Sequence, residues 1–213
     1  MEPQFIEHHK FNDRLISFEA YPFRTLVIGT FNPSGDKQPL LNLYDRGRNL
    51  TWGVLERLFP KYAPLKFYPA NKRQYSRERI YENQMKFLQA EGIFLTDMIR
   101  GLKEPDTNLI YGKNYTDANL EKSVSGDVNR IIWNETVIDL LQKGQVKRVL
   151  FTRSINDSEV PLISKFMKNI ETRCDEFDVQ CKFLRSPSGS NRVLKGTSKY
   201  DTLVEDWKPK FGL

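Results

Sequence analysis

Cysteine and histidine are both scarce in this chain of 213 residues, which contains two of each. Cys174 and Cys181 form no Cys-x-x-Cys pair, so cysteine alone builds neither a zinc site nor an iron–sulfur cluster. The two histidines, His8 and His9, are adjacent and close to the N-terminus. The sequence therefore predicts no metal, no cofactor, two structural thiols and a mechanism that does not depend on histidine.

Long apolar runs are also missing. No stretch approaches the roughly 20 apolar residues that a membrane-spanning helix requires. The first four residues include an acid and no apolar segment typical of a secretory signal. We therefore expect an intracellular protein with no membrane partner. Its length fits a single domain over 1–213, in which 1–24 forms an N-terminal leader segment, and we expect a monomer.

Acidic residues are depleted in two stretches of a chain whose formal net charge is +6. Lys61 to Lys86 contains seven basic residues and two acidic ones, and Lys182 to Lys199 contains five basic residues and no acid. A solvated face accounts for the first stretch. The overall balance favours an anionic partner only weakly, because many basic proteins bind no nucleic acid.

Apolar runs and helical periodicities alternate along the chain. This alternation predicts an α/β fold, a three-layer α/β/α sandwich with a central four-stranded, mainly parallel sheet. The predicted strands are Thr25 to Ile28, Gly92 to Asp97, Arg148 to Thr152 and Cys181 to Leu184. The predicted helices are Trp52 to Phe59, Arg77 to Ala90, Ile131 to Gln142, Val160 to Thr172 and Lys199 to Trp207. Two long stretches without periodicity, Asn32 to Asn49 and Lys103 to Asn129, are predicted to be functional or mobile loops.

Three short segments carry the residue types that a site requires. Gly29 to Gly35, with sequence GTFNPSG, follows the first strand, and Ser186 to Arg192, SPSGSNR, follows the last. Arg48 to Trp52, RNLTW, begins a helix. Each is ordinary in isolation, as a turn, a flexible loop and a helix start. In a parallel sheet, however, ligands bind at the carboxyl ends of the strands, which the two loops follow.

In combination and in this order, the segments resemble the uracil-DNA glycosylase superfamily, nearest to its mismatch-specific uracil/thymine branch. That family has a Gly-x-Asn-Pro-Gly loop, an Asn-x-Phe-Trp helix start and an Asn-Pro-Ser-Gly-x-x-Arg loop. The matching positions are Asn32, Pro33, Asn49, Trp52, Pro187, Ser188, Gly189 and Arg192. Asp97, at the end of the second strand, also resembles an Asp of the branch that acts on deaminated purines. The resemblance therefore leaves both uracil and hypoxanthine as candidate target bases.

The chain departs from the family pattern at three places. Asn32 stands three residues after Gly29, where the family spacing is two. Ser186 replaces the Asn that opens the family's last loop, and polar Ser190 and Asn191 replace an apolar wedge. Either the first loop has one extra residue, or Phe31 occupies the catalytic place and the enzyme is altered or inactive. The shifted Asn32 and the Ser186 substitution also raise a second hypothesis, a DNA-binding module of this fold without catalysis. A small-molecule hydrolase or nucleotide-binding α/β protein is a third possibility.

The resemblance implies a monofunctional DNA glycosylase of base excision repair, which is cytoplasmic and nucleoid-associated, or nuclear in a eukaryote. In that reading Asn32 and Ser186 are catalytic, with Asn32 orienting the attacking water. Substrate binding falls to Gly29, to the backbone N–H groups of Thr30 and Phe31, to the stacking ring of Phe31, to Asn49, and to Asp97 as reader of the base edge. DNA binding falls to Ser188, Gly189, Ser190 and Arg192, and Arg192 also fills the gap left by the flipped base.

Overall fold

A computed structural model describes residues 4–7, 21–31, 49–67, 75–111, 115–188 and 198–213. In chain order the strands are β1 (Phe5–Glu7), β2 (Thr25–Gly29), β3 (Ile93–Asp97), β4 (Ile99–Lys103), β5 (Ile131–Trp133), β6 (Arg148–Phe151) and β7 (Gln180–Phe183). The helices are α1 (Thr51–Leu58), α2 (Arg77–Glu91), α3 (Thr107–Ile110), α4 (Asp117–Ser123), α5 (Thr136–Gln142), α6 (Pro161–Glu176) and α7 (Lys199–Phe211). Short 3-10 turns cover Pro60–Tyr62 and Val128–Arg130.

The main sheet has four parallel strands in the order β3-β2-β6-β7. Every residue of β2 and β3 is buried, which explains why both read as unbroken apolar runs rather than as alternating patterns. The prediction of an α/β protein with a four-stranded parallel sheet is confirmed. Around this sheet the helices make an arrangement compatible with the predicted three-layer sandwich.

The turn between α2 and β3 shows how the chain sets the sheet register. Gly92 ends α2 with φ of 60°, a left-handed conformation that glycine adopts without steric cost. Its carbonyl accepts from the N–H groups of Arg24 and Thr25, at 2.8 and 3.0 Å. The end of α2 is therefore tied to the start of β2, which brings β3 directly beside it.

A second sheet, which the sequence did not predict, has three antiparallel strands in the order β1-β4-β5. The predicted helix over Ile131 to Gln142 is wrong in its first part, because Ile131–Trp133 is a strand and the helix begins only at Thr136. Two isoleucines and a tryptophan favour extended backbone where a partner strand is available. Part of the predicted leader segment, Phe5–Glu7, supplies the third strand.

An aromatic cluster holds the helices around α1 together. Trp52 in α1 is 1% exposed and contacts Phe87 of α2 edge to face, at a centroid distance of 6.4 Å. Phe59 lies between Phe87 and Phe211, at 5.0 and 6.0 Å. Such pairs contribute about 0.5–1.5 kcal/mol each beyond their buried area. The start of α1, where one candidate segment lies, is thus fixed to the core.

Among the residues that the structure describes, no helix is both long enough and apolar enough to cross a membrane.

Candidate functional site

The carboxyl edge of the parallel sheet gathers most of the residues singled out from the sequence. Gly29 ends β2 and is paired in register with Asp97, which ends β3. Just beyond the strands, the N–H of Met98 donates to the Gly29 carbonyl at 2.9 Å, and the N–H of Leu184 donates to the Phe151 carbonyl at 2.7 Å. The ladder thus continues past the strand ends and gives the loops that follow a rigid base.

The loop after β2 begins with Thr30 and Phe31. The Thr30 carbonyl accepts from the N–H of Ile99 at 3.1 Å, and the Phe31 carbonyl accepts from the Tyr115 hydroxyl at 2.5 Å. The Phe31 ring belongs to the hydrophobic core and is 3% exposed, so the structure does not present it to solvent. Asn32, predicted to orient the attacking water, lies outside the described residues.

Asp97 is completely buried at the end of β3. The Asn134 amide donates both to the Asp97 carbonyl at 2.9 Å and to the Thr96 hydroxyl at 3.0 Å. Among the described residues, the Asn134 side-chain oxygen is one of two buried side-chain polar atoms that lack a hydrogen-bond partner. The Asn134 side chain therefore fixes the end of β3, and the sequence analysis did not single this residue out.

The helix-start segment and the last loop are joined directly. The N–H of Leu50 donates to the Pro187 carbonyl at 2.9 Å, and Asn49 forms an antiparallel bridge with Ser188. The Asn49 side chain accepts from the N–H of Thr51 at 2.9 Å. It therefore gives a hydrogen-bond partner to the first N–H group of α1, although Leu50 occupies the cap position. Two segments that are far apart in the sequence are thus in direct contact.

Helix α7 anchors the start of the last loop. Asp206 accepts from the N–H of Arg185 at 2.7 Å, and the Trp207 indole donates to the Arg185 carbonyl at 2.9 Å. The Ser186 hydroxyl accepts from the N–H of Ser188 at 3.3 Å, which closes a local turn. Gly189, Ser190 and Arg192, predicted to hold DNA, lie outside the described residues.

Positive charge lies next to the junction of the two segments. The Lys66 ammonium donates to the Asn49 carbonyl at 2.7 Å and lies 5.9 Å from the centre of the Tyr200 ring. The Arg57 guanidinium lies over the same ring at 4.4 Å and pairs with Asp201 at 2.7 Å. Lys66 belongs to the first basic stretch, Lys61 to Lys86, which the sequence analysis assigned to a solvated face. The structure places at least this lysine next to the junction of the two segments.

Sequence reasoning missed an ion pair between the start of α4 and the segment that follows β6. Asp117 at the start of α4 pairs with Arg153, which follows β6, and their side chains are 28% and 13% exposed. Burial raises the pKa of Asp117 above its ordinary value, and the nearby charge of Asp97 raises it further. The Arg153 guanidinium and a hydrogen bond with Thr30 oppose that rise. The position of Asp117 inside a long stretch without periodicity was the one available signal.

Glu121, one turn further along α4, accepts from the N–H of Ile163 at 2.7 Å. Burial raises the pKa of its carboxyl. The positive charge of Arg153 lowers this pKa, and the negative charge of Asp117 raises it. Within the described ranges no cluster of three or more histidine, cysteine or carboxylate side chains could hold a metal ion.

Comparison of the chain with protein-family models, with curated proteins and with solved structures finds no match in any of the three.

Proposed function

We propose that the chain is a DNA glycosylase that hydrolyses the N-glycosidic bond of a damaged or mismatched base flipped out of DNA. The observation that supports this most is the meeting of the helix-start segment and the last loop, through the Leu50–Pro187 hydrogen bond and the Asn49–Ser188 bridge. The family resemblance depends on these two segments together with the loop after β2. If the two segments matched the family motifs only by coincidence, there would be no reason for them to contact each other.

The proposed reaction depends on positioning rather than on a strong base. Extruding the nucleotide costs a few kcal/mol, and phosphate contacts from the last loop and from Lys66 offset that cost. The leaving base departs as an anion, which backbone N–H groups of Thr30 and Phe31 stabilise. Because an amide is not basic, Asn32 serves to orient the water that attacks C1′.

The role of Asn32 is tested by single-turnover base release from duplexes containing uracil, a mismatched thymine or hypoxanthine. We expect Asn32→Ala to abolish release while binding to the same duplex persists. Asn129→Ala is the matched control, because the Asn129 side chain donates to Asp127 and to no other described residue, at the exposed end of the 3-10 turn. Wild-type turnover in Asn32→Ala contradicts the assignment.

A DNA-binding module of the same fold without catalysis is the second candidate. Two observations favour it, the complete burial of Asp97 and the burial of the Phe31 ring, since both side chains are shielded from a base in this state. The two candidates differ in one outcome of the same assay. A binding module retains lesion DNA at moderate salt but releases no base from any duplex.

A further inference from the structure

The segment from Tyr115 to Asp117 lies next to the first residues after β2. The Tyr115 hydroxyl donates to the Phe31 carbonyl at 2.5 Å. Two residues later, Asp117 pairs with Arg153, and hydrogen bonding to the Thr30 side chain lowers the Asp117 pKa. Thr116 caps α4 by accepting from the N–H of Asn119 at 3.0 Å, and Asp117 is the first residue of this capped helix. Both residues of the proposed substrate-facing turn are therefore held from one side.

We propose that Asp117 is a positioning residue for the Thr30–Phe31 turn, and that it acts in its ionised form through the Thr30 hydroxyl and the Arg153 guanidinium. The inference rests on the proposed function, in which the N–H groups of this turn face the leaving base. A carboxylate accepts charge-assisted hydrogen bonds from both partners at once. A protonated carboxyl loses the attraction to Arg153, and the turn loses one of its two restraints.

The groups around Asp117 come from four elements. Arg153, after β6, stabilises the ionised carboxylate, as does Thr30 after β2. Asp97, at the end of β3, and Glu121, further along α4, are carboxyls that interact with it electrostatically. Because burial and Asp97 raise the Asp117 pKa, the carboxyl takes up its proton at a higher pH than an exposed aspartate. We therefore expect the rate of base release to fall as the pH is lowered through that raised value.

The experiment measures single-turnover base release between pH 4.5 and 8.5 and hydrogen exchange of the segment 25–31, for wild type, Asp117→Asn and Thr30→Val. We expect Asp117→Asn to release base about 10-fold more slowly at neutral pH, since small misplacements of reacting groups cost up to about 100-fold. Its acid limb should disappear, affinity for lesion DNA should stay within about twofold, and exchange of the segment should accelerate. Asp157→Asn is the control, because Asp157 forms an exposed pair with Lys168 at 2.6 Å.

Two further comparisons separate positioning from a merely structural role. Thr30→Val should reproduce the slower release, and adding Asp117→Asn to it should slow the rate by much less than 10-fold, because both changes break the same hydrogen bond. A wild-type rate, acid limb and exchange pattern in Asp117→Asn overturns the inference. If the wild type itself releases no base, the proposed function fails, and hydrogen exchange alone still decides whether Asp117 holds the turn.

Discussion

Asn49 offers a sharp test of the local structure at the start of α1. Its side-chain oxygen accepts from the N–H of Thr51 at 2.9 Å, whereas its contacts with Ser188 and Lys66 use the backbone. Asn49→Ala therefore removes one hydrogen bond at a helix start and leaves the junction with the last loop in place. Loss of such a hydrogen bond costs about 0.5–1.5 kcal/mol.

For a chain of this size, each kcal/mol lowers Tm by about 2–4 °C. We expect Asn49→Ala to melt about 2–4 °C below the wild type by circular dichroism, and to lose about 1 kcal/mol in urea unfolding. Asn49→Asp keeps the acceptor and places a negative charge at the helix N-terminus, which is favourable. It should melt at or above the wild-type temperature at pH 7. Equal melting of Asn49→Ala and wild type refutes the reasoning, as does an Asn49→Asp variant that is as unstable as Asn49→Ala.

Three other predictions follow from the described contacts. The Asp117 pKa is raised above 3.8 by burial, so the wild type loses stability as the pH rises through that raised value. The unfolding free energy of Asp117→Asn minus that of the wild type should therefore increase between pH 4 and pH 8, by about 1.4 kcal/mol per unit of pKa elevation, and a pH-independent difference contradicts this. Trp207→Phe removes the donor to the Arg185 carbonyl and should cost about 1–3 kcal/mol in urea unfolding; an unchanged midpoint argues against that anchor. The hydrogen bond with Cys174 and burial both raise the pKa of the Cys181 thiol, so iodoacetamide at pH 8 should label native protein far more slowly than urea-unfolded protein, and equal rates speak against the pairing.

The parallel sheet could be predicted from the sequence because β2, β3 and β6 are largely apolar runs bounded by glycine or polar residues. Leu26, Val27 and Ile28 are 0–1% exposed, and a strand buried on both faces leaves that signature. The antiparallel sheet left no comparable signal. Ile131–Trp133 is a short apolar run compatible with either helix or strand, and only its pairing with β4 decides between them.

The arrangement of the candidate site could be predicted only in part. Local spacing and the family resemblance single out Asn49, Asp97 and Ser188, and their roles stay predictions. The hydrogen bond between Leu50 and Pro187, in contrast, depends on how two distant loops meet in space. The same holds for the ion pair of Asp117 with Arg153, which stand 36 positions apart. The residues that flank Asp117 and Arg153 in the sequence do not indicate that these two side chains pair.

Detection of free base is the most direct test of the proposed glycosylase. The purified chain is incubated in excess over duplexes that carry uracil, a mismatched thymine or hypoxanthine, with undamaged duplex as the control, and the released base is measured by mass spectrometry. We predict that at least one lesion yields free base and an intact strand with an abasic site, whereas undamaged DNA yields none. Absence of free base from every duplex and from the corresponding single strands, with the chain folded and bound to DNA, contradicts the proposal.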